Sequence, residues 1–372
     1  MKIFYATSVL GDAGGSEIYT RDLLTELLGR GHELCVFTPI NYDLEGAEMV
    51  HTPVWGHHAF HKFEAALFCG GALKAAEKFG PDIVQSHSNS LMGYVGHRVK
   101  RRLGVPHVLL IELISSQNRS LHTKAIFRME KFMLPKLNYD RLVVWTENMK
   151  QKFLLPWGIE EGKIEVMPAA LNLANYPACG GGDEVKKEFG EHLITSIKTL
   201  WGTNALGLKY VIKAMEKVSK EHAEYKYVIF GEGTHRKMLE DYTEKLGLRE
   251  NVKFAGAIQP QKCREVWQAT EIAPHSFVYE FSTSISLLEY MATGKACVVT
   301  DIGSVKELVG ESALLVKPEN ADSIAEGIIR LIEDRALRER LGRKAREIVE
   351  EKYTIKKSAD RLERIYAELL SN

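Results

Sequence analysis

Several familiar signatures are missing from this chain, and each absence removes a class of function. Neither charge is in excess: 49 lysines and arginines stand against 49 aspartates and glutamates. A general nucleic-acid binder carries a basic surplus, so no nucleic-acid partner is expected. The five cysteines, Cys35, Cys69, Cys179, Cys263 and Cys297, lie far apart. That spacing suits neither a disulfide framework nor a zinc site, and it fits reduced thiols in a cytosol. No cluster of ligating residues has metal spacing, so neither a metal nor another cofactor is expected. No stretch approaches the ~20 apolar residues that span a bilayer. The start, "MKIFYATSVL", has a brief apolar run broken by Thr7 and Ser8 and reads as a first strand, not a signal peptide. The expected location is cytoplasmic, with any membrane contact made from the inner face. Neither G-x-G-x-x-G nor G-x-x-x-x-G-K-[ST] occurs, which excludes a dinucleotide fingerprint and a P-loop. Solenoid repeats and low-complexity tracts are absent as well.

What is present is alternation. Short apolar runs ("KIFYAT", "ELCVFT", "DIVQS", "HVLLI", "RLVVW") take turns with helical stretches such as "SEIYTRDLLTELLGRG", where Ile18, Leu23, Leu24, Leu27 and Leu28 fall at helical spacing. Ser16 is positioned to cap that helix and Gly31 to end it. The alternation resumes later with "HLITSI", "YKYVIF", "NVKFAG", "ACVVT" and "ALLV". Strand–helix alternation predicts parallel sheets covered on both faces. A length of 372 residues, with 45% hydrophobic and 26% charged residues, predicts two such domains in a soluble protein. Between them, "MPAALNLANYPACGGGDEV" has no periodicity and reads as a linker. The fold expected is α/β: two doubly wound, Rossmann-like domains facing across a cleft. The first spans 1–172 and the second 185–354, with a last helix over 355–372. Ligands of such sheets bind at the carboxyl ends of strands, near a topological switch point.

Three stretches stand at those ends. "GDAGGSEIY" follows the first strand, and Gly14 and Gly15 permit close backbone approach by an anionic group at a helix N-terminus. A flexible strand-to-helix turn would look the same. In "FGEGTHRKMLE", Gly231, Glu232 and Gly233 follow a strand and either line a nucleotide pocket or form a turn with Thr234 as N-cap. In "EFSTSISLLEYMATG", a helix beginning near Ser284 would offer unpaired N–H groups to a diphosphate, with Ser286 too small to block it. Glu289, about a turn beyond Ile285, is flanked by leucines and needs a partner: both hydroxyls of a ribose, or a cation such as Lys295.

These stretches, with "PDIVQSHS", "RRLGVPHVLL", "GIEEGKIEVMPAALN", "LGLKYVIKAM" and "LGLRENVKFAG" in the same order, resemble the retaining glycosyltransferases of family four, which have the GT-B fold. The resemblance covers nearly the whole chain. It implies transfer of a sugar from a UDP- or GDP-sugar to a glycan, lipid-linked or small-molecule acceptor, with retention at the anomeric carbon. It further implies that Glu289 binds the ribose, that the amides of Ser284 and Ile285 hold the distal phosphate, and that Gly14 and Gly15 lie beside the phosphates and acceptor. The segment after Tyr353 would cross back onto the first domain.

Three departures accompany the resemblance. The family places seven residues between two glutamates, whereas eight separate Glu280 from Glu289 and Phe281 takes the strict position. A one-residue loop insertion would leave Glu280 reaching the sugar. Lys198 takes the place of a diphosphate-binding arginine, but the lysine that should follow falls near Ala205 or Leu206. Lys209 sits on the next helix, and His235 and Arg236 are candidates to compensate. Where many members carry a histidine, this chain has Ile111 and Glu112, while His87 stands at a neighbouring strand end. The candidate catalytic residues are therefore Glu280, Lys198, His87 and Glu112. An inactive nucleotide-sugar binder and a sugar-nucleotide epimerase of the same fold remain alternatives. "TKAIFRMEKFMLPKL" sets basic residues beside apolar ones, a pattern for an anionic membrane surface or for a solvated helix over a core.

Overall fold

In the computed structural model the described residues are 1–371 without 13, 53–68, 115–120, 179 and 279–282, and the side chains of 121–123 and 203–204 are likewise outside the description. Glu280 and Phe281 thus lie outside the described residues. The chain divides into two compact units, 1–170 with 355–372, and 171–354.

The first unit is built on a seven-stranded parallel sheet in the order β3-β2-β1-β4-β5-β6-β7. Its strands are β1 (Lys2–Thr7), β2 (Glu33–Thr38), β3 (Glu48–His51), β4 (Ile83–Ser88), β5 (His107–Ile111), β6 (Arg141–Val144) and β7 (Ile164–Val166). Helix α1 (Gly15–Gly29) buries Tyr19, Leu23, Leu24 and Leu27 on one stripe, which is what holds it to the sheet. Helices α2 (Cys69–Phe79) and α3 (Ser90–Leu103) pack with Phe4, Phe37 and Val84. Helix α4 (Leu121–Met133) follows β5. Strand β4 is exceptional: every residue of "IVQSHS" is buried, although four are polar. A buried polar run is tolerated only where its groups find partners or serve a ligand.

The second unit carries a six-stranded parallel sheet in the order β10-β9-β8-β11-β12-β13. The strands are β8 (His192–Ile197), β9 (Tyr225–Phe230), β10 (Val252–Gly256), β11 (Thr270–His275), β12 (Ala296–Thr300) and β13 (Ala313–Val316). Its helices are α5 (Asp183–Phe189), α6 (Gly202–Glu221), α7 (Arg236–Lys245), α8 (Cys263–Ala269), α9 (Ile285–Ala292), α10 (Val305–Val309), α11 (Ala321–Glu333) and α12 (Arg335–Lys352). Val211, Ile212 and Met215 of α6 and Ile324 and Ile328 of α11 close one face over Ile194, Tyr227 and Ile229. Pro274 lies inside the central strand β11 and has no N–H to give a ladder. The β8·β11 pairing stops at Ile194–Ile272, while β11·β12 continues to His275–Val299.

The final helix, α13 (Ile355–Leu370), belongs to the first unit and packs on α1. Arg30 bonds Asp360 at 2.6 Å and Glu363 at 2.7 Å across that contact, and the Tyr366 hydroxyl donates to Gln85 of β4. Strand order reverses between β1 and β4 in the first unit and between β8 and β11 in the second, so each sheet has its switch point there.

Three local expectations are corrected. Ser16 does not cap α1; Gly14 is the N-cap, because the Glu17 carboxylate folds back to accept its N–H at 2.8 Å. Thr234 does not cap α7, which starts at Arg236 with His235 before it and no side-chain cap. The presumed linker is not a loose tether: Leu171 pairs with Thr354, and Leu171 and Tyr176 are only 3% exposed.

Candidate functional site

The carboxyl edge of the second sheet, at its switch point, holds one buried cation. Lys198 follows β8, its ammonium 4.4 Å from the centre of the Phe277 ring, and no carboxylate pairs with it among the described residues. Burial lowers its pKa to about 8, because a charge removed from water favours its neutral form. His275 ends β11 with both ring nitrogens buried and without partners among the described residues. Burial, and then the Lys198 charge, hold its pKa well below the ordinary histidine value. The His275 ring meets Phe277 (centroids 6.2 Å) and Tyr290 of α9 (5.4 Å).

Helix α9 begins at this edge. Ser284 is its N-cap, its hydroxyl accepting from Leu287 N–H at 3.3 Å. Ser286 lies 3.2 Å from Ser284, hydroxyl to hydroxyl. The amides of Ile285 and Ser286 have no bonded partner among the described residues and carry the positive end of the helix dipole. Glu289 lies one turn further along. It is partly accessible, yet burial among protein groups pushes its pKa up to about 7, opposed by a 3.1 Å hydrogen bond from the Tyr176 hydroxyl. Lys295 is not its partner: that ammonium donates to the Gln268 carbonyl at 3.1 Å.

The glycines of the "GEG" loop are explained by packing. A Cβ on Gly231 (φ +146°) would stand 1.8 Å from the Lys198 carbonyl oxygen, and one on Gly233 would stand 2.4 Å from that of Leu200. The loop therefore braces the Lys198 turn, with Leu200 N–H donating to the Glu232 carbonyl at 2.9 Å. The Glu232 carboxylate pairs with Arg236, which also bonds Glu240 at 2.7 Å and the Phe254 carbonyl at 3.3 Å. That guanidinium is bonded within the unit. Ala205 is fully buried, and Leu206 lines a cavity of about 400 Å³ together with Lys209, Tyr242 and Val278. The Lys209 ammonium lies over the Tyr242 ring, 5.0 Å from its centre.

In the first unit the switch point gathers a different chemistry. His87 is fully buried, with Nδ1 at 2.8 Å from the Tyr5 hydroxyl and 3.3 Å from that of Thr20. Its Nε2 lies 2.7 Å from Oε1 of Glu112, just past β5. The contact is close but out of line for a hydrogen bond, and neither atom has another partner among the described residues. Ser88, next in sequence, has φ +113°, a strained value of the kind that collects at functional sites. Gly14 and Gly15 open α1, but the Gly14 amide expected to face a ligand is bonded to Glu17, and Asp12 pairs with Arg21.

Of the residues singled out in the sequence, Lys198, Ser284, Ile285, Ser286 and Glu289 gather at one edge, and His87 and Glu112 at another. His275 and Tyr176 were not singled out. Nothing in "EIAPHS" marks His275, whereas an aromatic in the glycine- and proline-rich "NYPACGGG" is a signal that Tyr176 has something to pack against. Among the described residues no three ligating side chains form a cluster able to hold a metal, and no helix is long and apolar enough to cross a membrane.

Comparison with known proteins agrees with this layout. The family model of group 1 glycosyl transferases matches residues 193–348, and that of glycosyltransferase family 4 matches 13–175. An uncharacterized glycosyltransferase of Methanocaldococcus jannaschii is 26% identical over 368 residues, covering 92% of this chain and 91% of its own. Among solved structures, sucrose-phosphate synthase of Thermosynechococcus elongatus superposes with a TM-score of 0.85 at 18% identity, covering all of both chains. An Anabaena protein solved with UDP and glucose gives 0.80 at 17%, covering 99% of each. At such identities these structures establish the likeness of fold.

Proposed function

The chain belongs to the family-four glycosyltransferases with the GT-B fold, and from that premise we propose that it moves a sugar from a UDP- or GDP-sugar to a glycan, lipid-linked or small-molecule acceptor with retention of configuration. One observation carries the reading. At the switch point of the second unit a buried ammonium has no anion beside it, and the partly accessible Glu289 carboxylate has no cation, among the described residues. A nucleoside diphosphate supplies both complements, phosphate oxygens for Lys198 and a ribose diol for Glu289. The Ile285 and Ser286 amides add donors for the distal phosphate. The Anabaena protein of like fold binds UDP and glucose, which supports the same ligand class here.

In the transfer, the bond between the acceptor oxygen and the anomeric carbon forms on the face from which the phosphate oxygen departs. The acceptor's proton passes to the departing phosphate, and the nucleoside diphosphate leaves. Lys198 and the α9 amides stabilise the negative charge that develops on it. Glu280 holds sugar hydroxyls. His87 and Glu112, at the switch point of the first unit, receive the acceptor hydroxyl. No metal takes part in this scheme, and equal transfer with and without a chelator tests that.

For the acceptor's setting, α4 exposes Phe132, 65% accessible with Lys136 over its ring, beside exposed Lys124, Arg128 and Lys131. A cationic face with an apolar tip suits an anionic bilayer surface. Binding to anionic vesicles, lost at high salt, is expected, and equal binding to neutral vesicles rejects the electrostatic part. The experiment for the activity itself follows a nucleotide-sugar by NMR with and without acceptor. Slow hydrolysis of the donor alone and faster turnover with acceptor support transfer; conversion to an epimer supports epimerisation, and an unchanged spectrum a binder.

A further inference from the structure

The first stretch of the second unit carries a group aimed at α9. The Tyr176 hydroxyl donates to Glu289 Oε1 at 3.1 Å, and three supports hold it there. Its ring lies against Trp267 of α8, centroids 4.9 Å apart. Its carbonyl accepts from Arg346 of α12, and the same guanidinium bonds the carbonyl of Ala292, the last residue of α9. One arginine thus ties the Tyr176 stretch and Glu289's own helix together. The next residue, Pro177, gives its carbonyl to Gln268 at the end of α8.

We propose that Tyr176 is a positioning residue for the nucleotide: it turns and holds the Glu289 carboxylate, occupying one lone pair of Oε1 and leaving the remaining acceptor sites to the ribose. This rests on Glu289 binding the ribose. A carboxylate offers about four lone-pair sites, so one phenol hydrogen bond still leaves room for a diol. Ribose hydroxyls donate, so the carboxylate must be ionised to take both of them. Burial favours its neutral acid, and the Tyr176 hydrogen bond is what opposes that by stabilising the charge. Tyr176 supplies that bond before the nucleotide arrives. Among the described residues, few other ionisable groups reach this carboxylate. Cys263 of α8 is pushed up to about 12 by burial and then by Glu289, so it is an uncharged thiol at neutral pH. Tyr290 follows Glu289 in α9 and hydrogen-bonds Thr195 at 2.8 Å. Arg346 and Lys295 are engaged with backbone carbonyls.

The test is calorimetric titration of UDP, or GDP if UDP gives no heat, into wild type, Tyr176→Phe and Glu289→Gln between pH 6 and pH 9. Tyr176→Phe keeps the ring against Trp267. Wild-type affinity is expected to weaken on acidification through about pH 7. In Tyr176→Phe the weakening sets in at higher pH, so affinity at pH 7 falls by about tenfold and recovers to the wild-type level near pH 9. A merely structural loss would not recover. A Tyr176→Phe profile that superimposes on wild type, or one displaced equally at every pH, overturns the proposal. Carbon-13 NMR of the Glu289 carboxyl, assigned through Glu289→Gln, gives the same answer in the free protein: a higher midpoint in Tyr176→Phe supports the proposal, and an unmoved one overturns it. The two levels fail differently. If Glu289→Gln binds as tightly as wild type, the ribose reading itself falls. If Glu289→Gln binds weakly at all pH values while Tyr176→Phe is unshifted, only the role of Tyr176 falls.

Discussion

His87 Nε2 stands 2.7 Å from Glu112 Oε1 where β4 and β5 end side by side. A buried imidazole and a buried carboxylate this close form a unit. In the transfer proposed above the pair receives the acceptor hydroxyl, so it should matter for transfer and not for the donor. Glu112→Gln, nearly isosteric, is expected to lower transfer by about a hundredfold while leaving nucleotide affinity within twofold or so. A joint loss of nucleotide binding would contradict the assignment.

Lys198→Met should separate stability from binding. The folded-state pKa of about 8 lies below the ordinary 10.5. Between those values the unfolded chain holds a proton the folded chain has released, so wild-type stability gains from this group as pH rises from about 8 towards 10.5. In Lys198→Met that gain disappears, which denaturant unfolding at pH 8 and pH 10 reads directly. The same variant should bind UDP or GDP ~10–100-fold more weakly, the worth of a charge-assisted hydrogen bond.

Glu289 gives the opposite sign. Its folded-state pKa of about 7 lies above the ordinary 4.5, so stability falls as pH rises from about 4.5 to about 7 and stays down beyond. Glu289→Gln should be more stable than wild type at pH 8, by on the order of 2 kcal/mol. It should also lose the rise in melting temperature that a nucleotide gives the wild type. A variant that is no more stable at pH 8 would show that the carboxylate is better solvated than this account has it.

Leu206 stands where a second cation is expected, exposed and lining the same cavity as Val278. Leu206→Lys is expected to raise turnover several-fold, roughly 1 kcal/mol off the barrier. Unchanged or lower turnover in a variant that still binds nucleotide would show that the leaving diphosphate is already neutralised.

Much of this was legible beforehand because it follows from periodicity. Alternating apolar runs and helices gave both parallel sheets, and the parallel register that pairs Ser88 with Ile111 puts Glu112 beside His87. What could not be read depended on partners remote in sequence. Tyr176 reads as part of a linker until Trp267, 91 residues later, is seen against it. The Gly231 and Gly233 pattern suggests a ligand loop, yet what approaches those glycines is the backbone of 198–200. Capping went to Gly14 and not to Ser16 because Glu17 folds back, a choice between neighbours that propensity does not settle. Glu280 and Phe281, on which the spacing to Glu289 turns, lie outside the described residues.

Titration of UDP and GDP into wild type, Lys198→Met and Glu289→Gln, at fixed pH and salt, tests the ammonium–carboxylate pairing most directly. One nucleotide should bind wild type at one site per chain, with each substitution costing about tenfold or more. Saturable binding that is indifferent to both substitutions, or no binding of either nucleotide at millimolar concentration, would contradict it.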